Sequence, residues 1–481
     1  MLDRTRTKIV CTIGPASRDE STLRTLIRAG MDVARINLSH GTHAEHARDI
    51  VTIRQIAREE EAVIAVMADL QGPKPRIGMI DPEPIHLVAG DRLTLTTRPA
   101  SGKANVVNLP HPELIAEAQE GQPVLLDDGA IELRVEQKTF DSLICKVVAG
   151  GELRSHKGIA VPRSAPLTEV VSSAVTPKDR KDAIFALNQG VDFLALSFVR
   201  SAGDVQELRS LIQEERQDEL LPGIVAKIEK KEALSEFDTI LEAADAVMVA
   251  RGDLGVEVPT QEIPLYQKEI IHKCNYVGKP VITATQMLQS MIDHPRPTRA
   301  EASDVANAIL DGTDAVMLSA ETATGRYPLP SVEMIQKIAK SVEGKMPSRL
   351  DEVKFEEITH RHPVTDAIGE ATRTIARDLN ARLVATSTWT GYTARQVARE
   401  RPKQPIVAFT PNEAICRQLA LTWGVIPVLV PPYQSTDEMI QVMEDRILSL
   451  GLAKKGELVV VTGGLPVGGG GKTNFVKVHC L

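Results

Sequence analysis

Gly223-Ile-Val-Ala-Lys-Ile-Glu229 reads as a short buried strand that ends in charge. Residues two apart on a strand share a face, so Lys227 and Glu229 point one way and Ile228 the other. An ammonium and a carboxylate then stand on one side of a strand end that is otherwise apolar. Burying such a pair without purpose is costly. A second apolar run, Ala246-Val-Met-Val-Ala250, ends in Arg251-Gly252-Asp253 and brings another carboxylate to another strand end. Two acidic groups and an ammonium suit a magnesium ion and a phosphoryl group. A structural ion pair is the alternative reading.

The same grammar recurs outward from this stretch. A β-branched run stops abruptly in polar residues and a helical stretch follows. It is met at Lys8 to Gly14, Asp32 to Ser39, Ala62 to Asp69, Asp192 to Phe198, Ile224 to Glu229, Ala246 to Asp253, Pro280 to Thr285 and Asp314 to Glu321. Eight strands with helical crossovers match a closed (β/α)8 TIM barrel, whose chemistry sits at the C-terminal strand ends. An open doubly wound sheet is the structural alternative.

The repeat is interrupted after its third strand. Short alternating runs such as Arg92-Leu-Thr-Leu-Thr96, with turn signals at Ala89-Gly90-Asp91 and Asp127-Asp128-Gly129, predict a small β-barrel domain inserted into a βα loop. Perched above the active face, it can act as a lid. Beyond the barrel a polar linker leads into an α/β pattern, with strands expected at Leu383 to Thr386, Pro405 to Phe409, Ile426 to Val430 and Leu458 to Thr462. The expected division is barrel at 1–72 and 161–345, lid at 73–160 and a C-terminal α/β regulatory domain at 346–481.

Composition narrows the class. The 481 residues are 43% hydrophobic and 25% charged, an ordinary globular balance. Aromatic residues are only 3% and the net charge is −8, which argues against a nucleic-acid-binding surface. No apolar run approaches a membrane span and no signal segment follows the basic start. Five scattered cysteines without metal-type spacing point to a reducing cytoplasm. Cys11 and Cys145 lie in apolar stretches and read as core.

The second strand ends in Arg35-Ile-Asn-Leu-Ser-His-Gly41, with polar side chains at alternate positions 35, 37 and 39. Arginine suits a phosphoryl group. Asp69 ends the third strand, and Lys74 and Arg76 follow it. Further runs are Thr12-Ile-Gly-Pro-Ala16, Asp69-Leu-Gln-Gly-Pro73, Met248-Val-Ala-Arg-Gly-Asp-Leu-Gly255, Ile282-Thr-Ala-Thr-Gln-Met287, Pro297-Thr-Arg-Ala-Glu301, Asp304-Val-Ala-Asn-Ala308 and Met317-Leu-Ser-Ala-Glu-Thr322. With Ala226-Lys-Ile-Glu229, these motifs make the whole chain resemble the pyruvate kinase family.

That resemblance implies phosphoryl transfer from phosphoenolpyruvate to ADP, giving ATP and pyruvate, the last step of glycolysis. It implies that Glu229 and Asp253 hold Mg2+, with Mn2+ as the alternative ion. Lys227 faces the phosphoryl group in flight, and Arg35 neutralises phosphate oxygens. Gly252 and Asp253 lie against the substrate. Thr285 serves protonation of the enolate, with Ser319 and Glu321 as candidates for extending the proton relay. On the nucleotide side the implied residues are Arg76, His40 and Lys157; His40 also reads as a helix-cap or core histidine. Ser39 also reads as a helix cap. Asp304 and Glu301 read as helix capping or surface charge.

Family members that need K+ bind it through residues matching Asn37, Ser39, Asp69 and the carbonyl of Leu70. They carry a glutamate where this chain has Lys74, so Lys74 is expected to substitute for the cation and K+ is not required. In the C-terminal part, Thr386-Ser-Thr-Trp-Thr-Gly-Tyr-Thr393 is a hydroxyl-rich strand end leading into a helix, a phosphate-binding arrangement. With the glycine-rich loop at Gly468 and Gly469, it resembles the family's effector pocket. The implied set is Thr386, Ser387, Thr388, Thr390, Gly391, Thr393, Gly468 and Gly469, binding a phosphorylated sugar or nucleotide as activator. The resemblance also implies a homotetramer. Two rivals stand beside this reading. One is a Mg2+-dependent lyase that forms a pyruvate enolate without ADP, and the other is a non-catalytic protein that kept the fold.

Overall fold

The structure, a computed structural model, describes residues 4–100, 103–127, 129–161, 173–216, 220–345, 362–467 and 472–481. Eight strands form a closed parallel barrel: β1 (Lys8–Thr12), β2 (Val33–Asn37), β3 (Ala65–Asp69), β4 (Phe193–Leu196), β5 (Gly223–Ile228), β6 (Ala246–Ala250), β7 (Val281–Ala284) and β8 (Ala315–Leu318). Each pairs with its neighbours in sequence, and β8 closes on β1 through Lys8 opposite Ala315. The open-sheet alternative is thereby excluded.

Alternation along each strand sorts side chains between two cores. Ile224, Ala226 and Ile228 pack outward against the helices, while Val225 enters the barrel interior with Val10, Val33, Met67, Phe193, Met248 and Ile282. The interior parity of β5 therefore runs Val225, Lys227, Glu229, and the charges emerge where the apolar filling stops. The same parity puts Arg35 and Asn37 above Val33, Asp69 above Met67, and Ser197 above Ala195.

At the opposite end, aspartates just ahead of four strands accept backbone N–H groups from the strand next door. Asp32 takes Ile9 at 2.9 Å, Asp192 takes Val66 at 2.7 Å, Asp245 takes Ile224 at 2.8 Å and Asp314 takes Val281 at 3.0 Å. Three of them also anchor the C-terminal unit. Arg417 reaches Asp192 at 2.7 Å, Arg401 reaches Asp314 at 3.5 Å, and Lys8 beside Asp32 donates to the Val425 carbonyl at 2.7 Å. Arg401 also stacks over the Trp423 ring.

Between β3 and β4 lies a separate sheet unit. Six strands pair in the order Ile159–Ala160, Pro123–Leu126, Ile131–Lys138, Ser142–Ala149, Arg92–Thr96, Val106–Asn108, and Gly151–Leu153 pairs with Ile85–Leu87. Among the described residues no pairing joins the two end strands of the larger sheet, and the insert forms a sheet domain separate from the barrel. It has its own apolar core around Leu93, Leu133 and Val147.

The C-terminal sheet contains β9 (Val384–Ser387), β10 (Ile406–Thr410), β11 (Val425–Leu429), β12 (Leu458–Gly463) and β13 (Phe475–Cys480), in the order β11-β10-β9-β12-β13. Its antiparallel edge strand β13 was not expected from sequence. The glycine-rich loop at Gly468 and Gly469, and most of the expected linker, lie outside the described residues. No helix among the described residues is long and apolar enough to cross a membrane.

Candidate active site

Five strand ends at the barrel mouth tie one polar knot. Lys227 Nζ lies 3.0 Å from Glu229 Oε1, 3.1 Å from Asp69 Oδ1 and 2.6 Å from Ser197 Oγ. Asp69 Oδ2 also takes the Arg35 guanidinium at 2.6 Å, and Arg35 donates to Thr12 Oγ1 at 2.9 Å. Asp69 and Glu229 are each only 1% exposed. Burial alone pushes the Asp69 carboxyl up, but Lys227 and Arg35 outweigh it and hold it below the usual range. Burial likewise pulls the Lys227 ammonium down, and Asp69 and Glu229 overcome this and raise it. Lys227 is therefore a fixed cation and not a base at neutral pH.

Glu229 behaves differently. Burial, joined by the negative charge of Asp253, outweighs Lys227 and lifts its carboxyl to about 6. Its Oε2 accepts the Phe198 N–H at 2.6 Å. A carboxyl raised by a neighbouring negative charge is relieved by a cation, and carboxylate oxygens suit a hard divalent ion. Among the described residues no group of three or more His, Cys, Asp or Glu gathers as a metal cage. Two protein carboxylates with the remaining positions left to water and substrate oxygens is the pattern Mg2+ favours. The residues present therefore fit that ion.

Asp253 is not on a strand extension. Arg251-Gly252-Asp253 turns at once into the short helix Arg251–Glu257. The bend is held from β7: Gly252 N–H donates to Thr285 Oγ1 at 2.7 Å, and Thr285 Oγ1 donates to the Ala284 carbonyl at 2.6 Å. Thr285 sits at φ +68° and Gln286 at φ +56°, left-handed backbone that a β-branched residue rarely adopts. Arg251, buried, explains how it persists. One nitrogen donates to the Thr285 carbonyl at 2.8 Å while the guanidinium forks onto both Asp304 oxygens at 2.7 Å. Asp304 thus braces the site from the next helix, where capping or surface charge was expected.

The remaining candidates fall around this knot. Lys74 Nζ lies 2.7 Å from Asp253 Oδ1. Asn37 Oδ1 accepts the Ser39 N–H at 3.1 Å, and the Leu70 carbonyl accepts the Ser197 hydroxyl at 2.7 Å. His40 is exposed, and partial desolvation with the charges of Arg76, Arg35 and Lys178 lowers its pKa. Arg76 donates to the His156 carbonyl at 2.8 Å, and Lys157 pairs with Asp127 at 2.8 Å, both within the insert. Glu321 is buried and accepts Ser319 N–H at 2.8 Å and Leu288 N–H at 3.2 Å, so it fixes loops. Ser197 and Arg251 were given no role from sequence. For Ser197 the signal was there, as the polar member of an interior parity of Phe193 and Ala195.

A family model described as "Pyruvate kinase, barrel domain" matches residues 4–332, and "Pyruvate kinase, alpha/beta domain" matches 366–479. The chain belongs to the pyruvate kinase family. It is a phosphotransferase. Pyruvate kinase of Geobacillus stearothermophilus is 47% identical over 478 residues, covering 99% of this chain and 80% of that one. Pyruvate kinase of Clostridium acetobutylicum is 42% identical over 479 residues, covering 99% of each. A crystal structure of a pyruvate kinase from Cryptosporidium parvum superposes with a TM-score of 0.87 at 35% identity, over 99% of this chain and 96% of that one.

In the C-terminal unit, the hydroxyl-rich stretch lies where β9 meets the helix Tyr392–Arg399. Thr386, Ser387, Thr388 and Thr393 are buried; Ser387 Oγ bonds the Tyr433 hydroxyl at 2.5 Å, and Thr473 Oγ1 donates to Thr393 Oγ1 at 2.9 Å. Gly391 takes φ +79°, turning the chain into the helix after Thr390. Among the described residues, Thr386 Oγ1 and Trp389 Nε1 are buried and find no hydrogen-bond partner.

Proposed function

We propose that the protein transfers the phosphoryl group of phosphoenolpyruvate to ADP. The bond between phosphorus and the enol oxygen breaks, and a bond from phosphorus to a terminal ADP oxygen forms. The electron pair left on the enol oxygen gives the enolate of pyruvate, which gains a proton at its methylene carbon. Arg35 and Lys227 neutralise the phosphoryl oxygens in passage, the electrostatic clamp such a transfer needs. Gly252 and Asp253 lie against the substrate, and Thr285 orients the group that protonates the enolate. Glu229 and Asp253 would hold Mg2+, or Mn2+ in its place, and the bound ion supplies positive charge to substrate oxygens. Arg76, His40 and Lys157 bind the nucleotide, with Arg76 and Lys157 carried by a lid at 73–160 that closes onto the barrel.

The observation that carries this reading is the Lys227 knot. An ammonium, two carboxylates and a guanidinium meet at the barrel's C-terminal mouth, almost fully buried. Lys74 takes the place of K+, and the Asn37, Ser39, Asp69 and Leu70 set works without that ion. Two facts support this: the Leu70 carbonyl already holds Ser197, and Asp69 already holds two cations. A phosphorylated sugar or a nucleotide monophosphate activates through Thr386, Ser387, Thr388, Thr390, Gly391 and Thr393, in a cytoplasmic homotetramer. The unpaired Thr386 hydroxyl and Trp389 indole N–H support a polar ligand there. The test is pyruvate formation from phosphoenolpyruvate and ADP with Mg2+, in buffer free of K+, Na+ and NH4+. Turnover is expected. None, even after K+ and a panel of sugar phosphates and nucleotides are added, defeats the reading.

A further inference from the structure

The helix Pro177–Asn188 is the first described barrel element after the insert, and its opening turns hold two loops of the mouth from behind. Lys178 Nζ donates to the Leu38 carbonyl at 2.7 Å and pairs with Asp182 Oδ2 one turn on at 2.5 Å. The other Asp182 oxygen meets His43 Nε2 at 2.7 Å, and the His43 ring stacks on Phe185 with centroids 4.1 Å apart and planes 4° from parallel. Asp179 is fully buried and divides its carboxylate. One oxygen caps its own helix through Thr176, and the other accepts the Gly72 N–H at 3.0 Å.

Two of these contacts land on loops that lead to the nucleotide side, Lys178 on Leu38 and Asp179 on Gly72, while Asp182 holds Lys178 and meets His43 at the start of the helix His43–Glu59. Leu38 stands two residues before His40. Gly72, at φ +68° with Ser197 and Phe198 packed against it, stands two before Lys74 and four before Arg76. Of the groups assigned to phosphoenolpyruvate, Lys227, Gly252, Asp253 and Thr285 stand instead at the ends of β5, β6 and β7, and Arg35, on β2, is held by Asp69 and Thr12 and not by this helix. A capping box needs only Thr176 and Asp179. The buried bond to Gly72 and the lysine on Leu38 are additions with no value to the helix alone.

We propose that Lys178, Asp179 and Asp182 are positioning residues for the nucleotide half of the reaction. They fix the backbone of loops 38–40 and 70–74, so that His40 and Arg76 meet ADP without first being ordered. This rests on the reaction proposed above. Lys178→Met and Asp182→Asn are expected to raise the KM for ADP by about tenfold or more, the scale of losing an outer-shell partner. The KM for phosphoenolpyruvate and kcat at saturating ADP should stay within about threefold, because uniform binding of one substrate is what is lost. Lys178→Arg, which keeps the cation, should restore most of the ADP affinity.

A merely structural role would instead raise both KM values together and lower the melting temperature in step. That result, or an unchanged KM for ADP in both variants, overturns the proposal. If Lys178→Met does not fold, Asp182→Asn decides alone. If the unsubstituted protein forms no pyruvate, the reaction reading fails separately. Calorimetric titration of the same variants with ADP then decides the positioning role without turnover.

Discussion

Lys74, on the stem that enters the insert, places its ammonium 2.7 Å from Asp253 Oδ1, a carboxylate assigned to the divalent ion. A cation tethered there contributes charge to the same anions a free monovalent ion would serve. Lys74→Glu removes that charge and sets a second carboxylate beside Asp253. The expected outcome is turnover that falls without K+ and recovers as KCl is added, whereas the parent responds little. Turnover against KCl concentration at constant ionic strength checks it. A parent with a strict K+ requirement refutes the role of Lys74 and leaves the enzyme assignment standing.

Among the described residues, Lys227 is the one cation that pairs with both Asp69 and Glu229. Lys227→Met strips Glu229 of its ammonium while Asp69 keeps Arg35. Turnover should drop by at least about 10²–10³, the scale of losing one preorganised donor in a dry site. Stability should fall by about 3–5 kcal/mol, as when one member of a buried pair is removed. Steady-state kinetics and denaturant unfolding read the two effects apart. Near-normal turnover removes Lys227 from the mechanism.

The barrel was legible because each strand is an apolar run that stops in polar residues, and β5 announces both faces in six residues. The meeting of Lys227 with Glu229 follows from their spacing on one strand. Their meeting with Asp69 does not, since β3 precedes the insert and only closure of the barrel joins them. Asp253 was read as a strand tail because nothing local marks the turn. The bend is held by Thr285, 32 positions further on, as the hydrogen bond from Gly252 spans 33. Arg251 and Asp304 are separated by 53 positions, and each alone reads as an ordinary surface charge. Strand β13 escaped notice because an edge strand that is half-exposed lacks the continuous apolar run that marked the others.

Thiol chemistry separates the cysteines cleanly. Burial pushes Cys145 and Cys416 up to about 12 and raises Cys11 and Cys274 as well, whereas Cys480 is exposed on β13. At pH 8 a thiol with a pKa near 12 is ionised to only about one part in 10⁴, and the thiolate is the reactive form. A disulfide-exchange reagent should therefore label one thiol rapidly in the native protein, and all five only after unfolding. Raising the pH from 7 to 9 should not recruit a second. Rapid labelling of two or more in the folded state contradicts the buried placement.

Thr285 holds a left-handed turn at φ +68°. Left-handed backbone at a β-branched residue costs about 1–3 kcal/mol and persists only where its surroundings over-determine it. Here the surroundings are the Arg251 fork, anchored on Asp304 and donating to the Thr285 carbonyl. Lysine keeps the charge but cannot bond Asp304 and the carbonyl in one plane. Arg251→Lys should relax the turn, shift the Thr285 hydroxyl off Gly252 N–H, and lower kcat by about 10–100-fold, as small misplacements at a reacting centre do. The proton step should suffer more than phosphoryl transfer, since Thr285 is the group proposed to serve the enolate and Arg35 and Lys227 are untouched. Exchange of the pyruvate methyl hydrogens with solvent, compared with ATP formation in the same variant, measures this. Equal losses in both would mean that Arg251 supports the whole mouth and not the turn at Thr285.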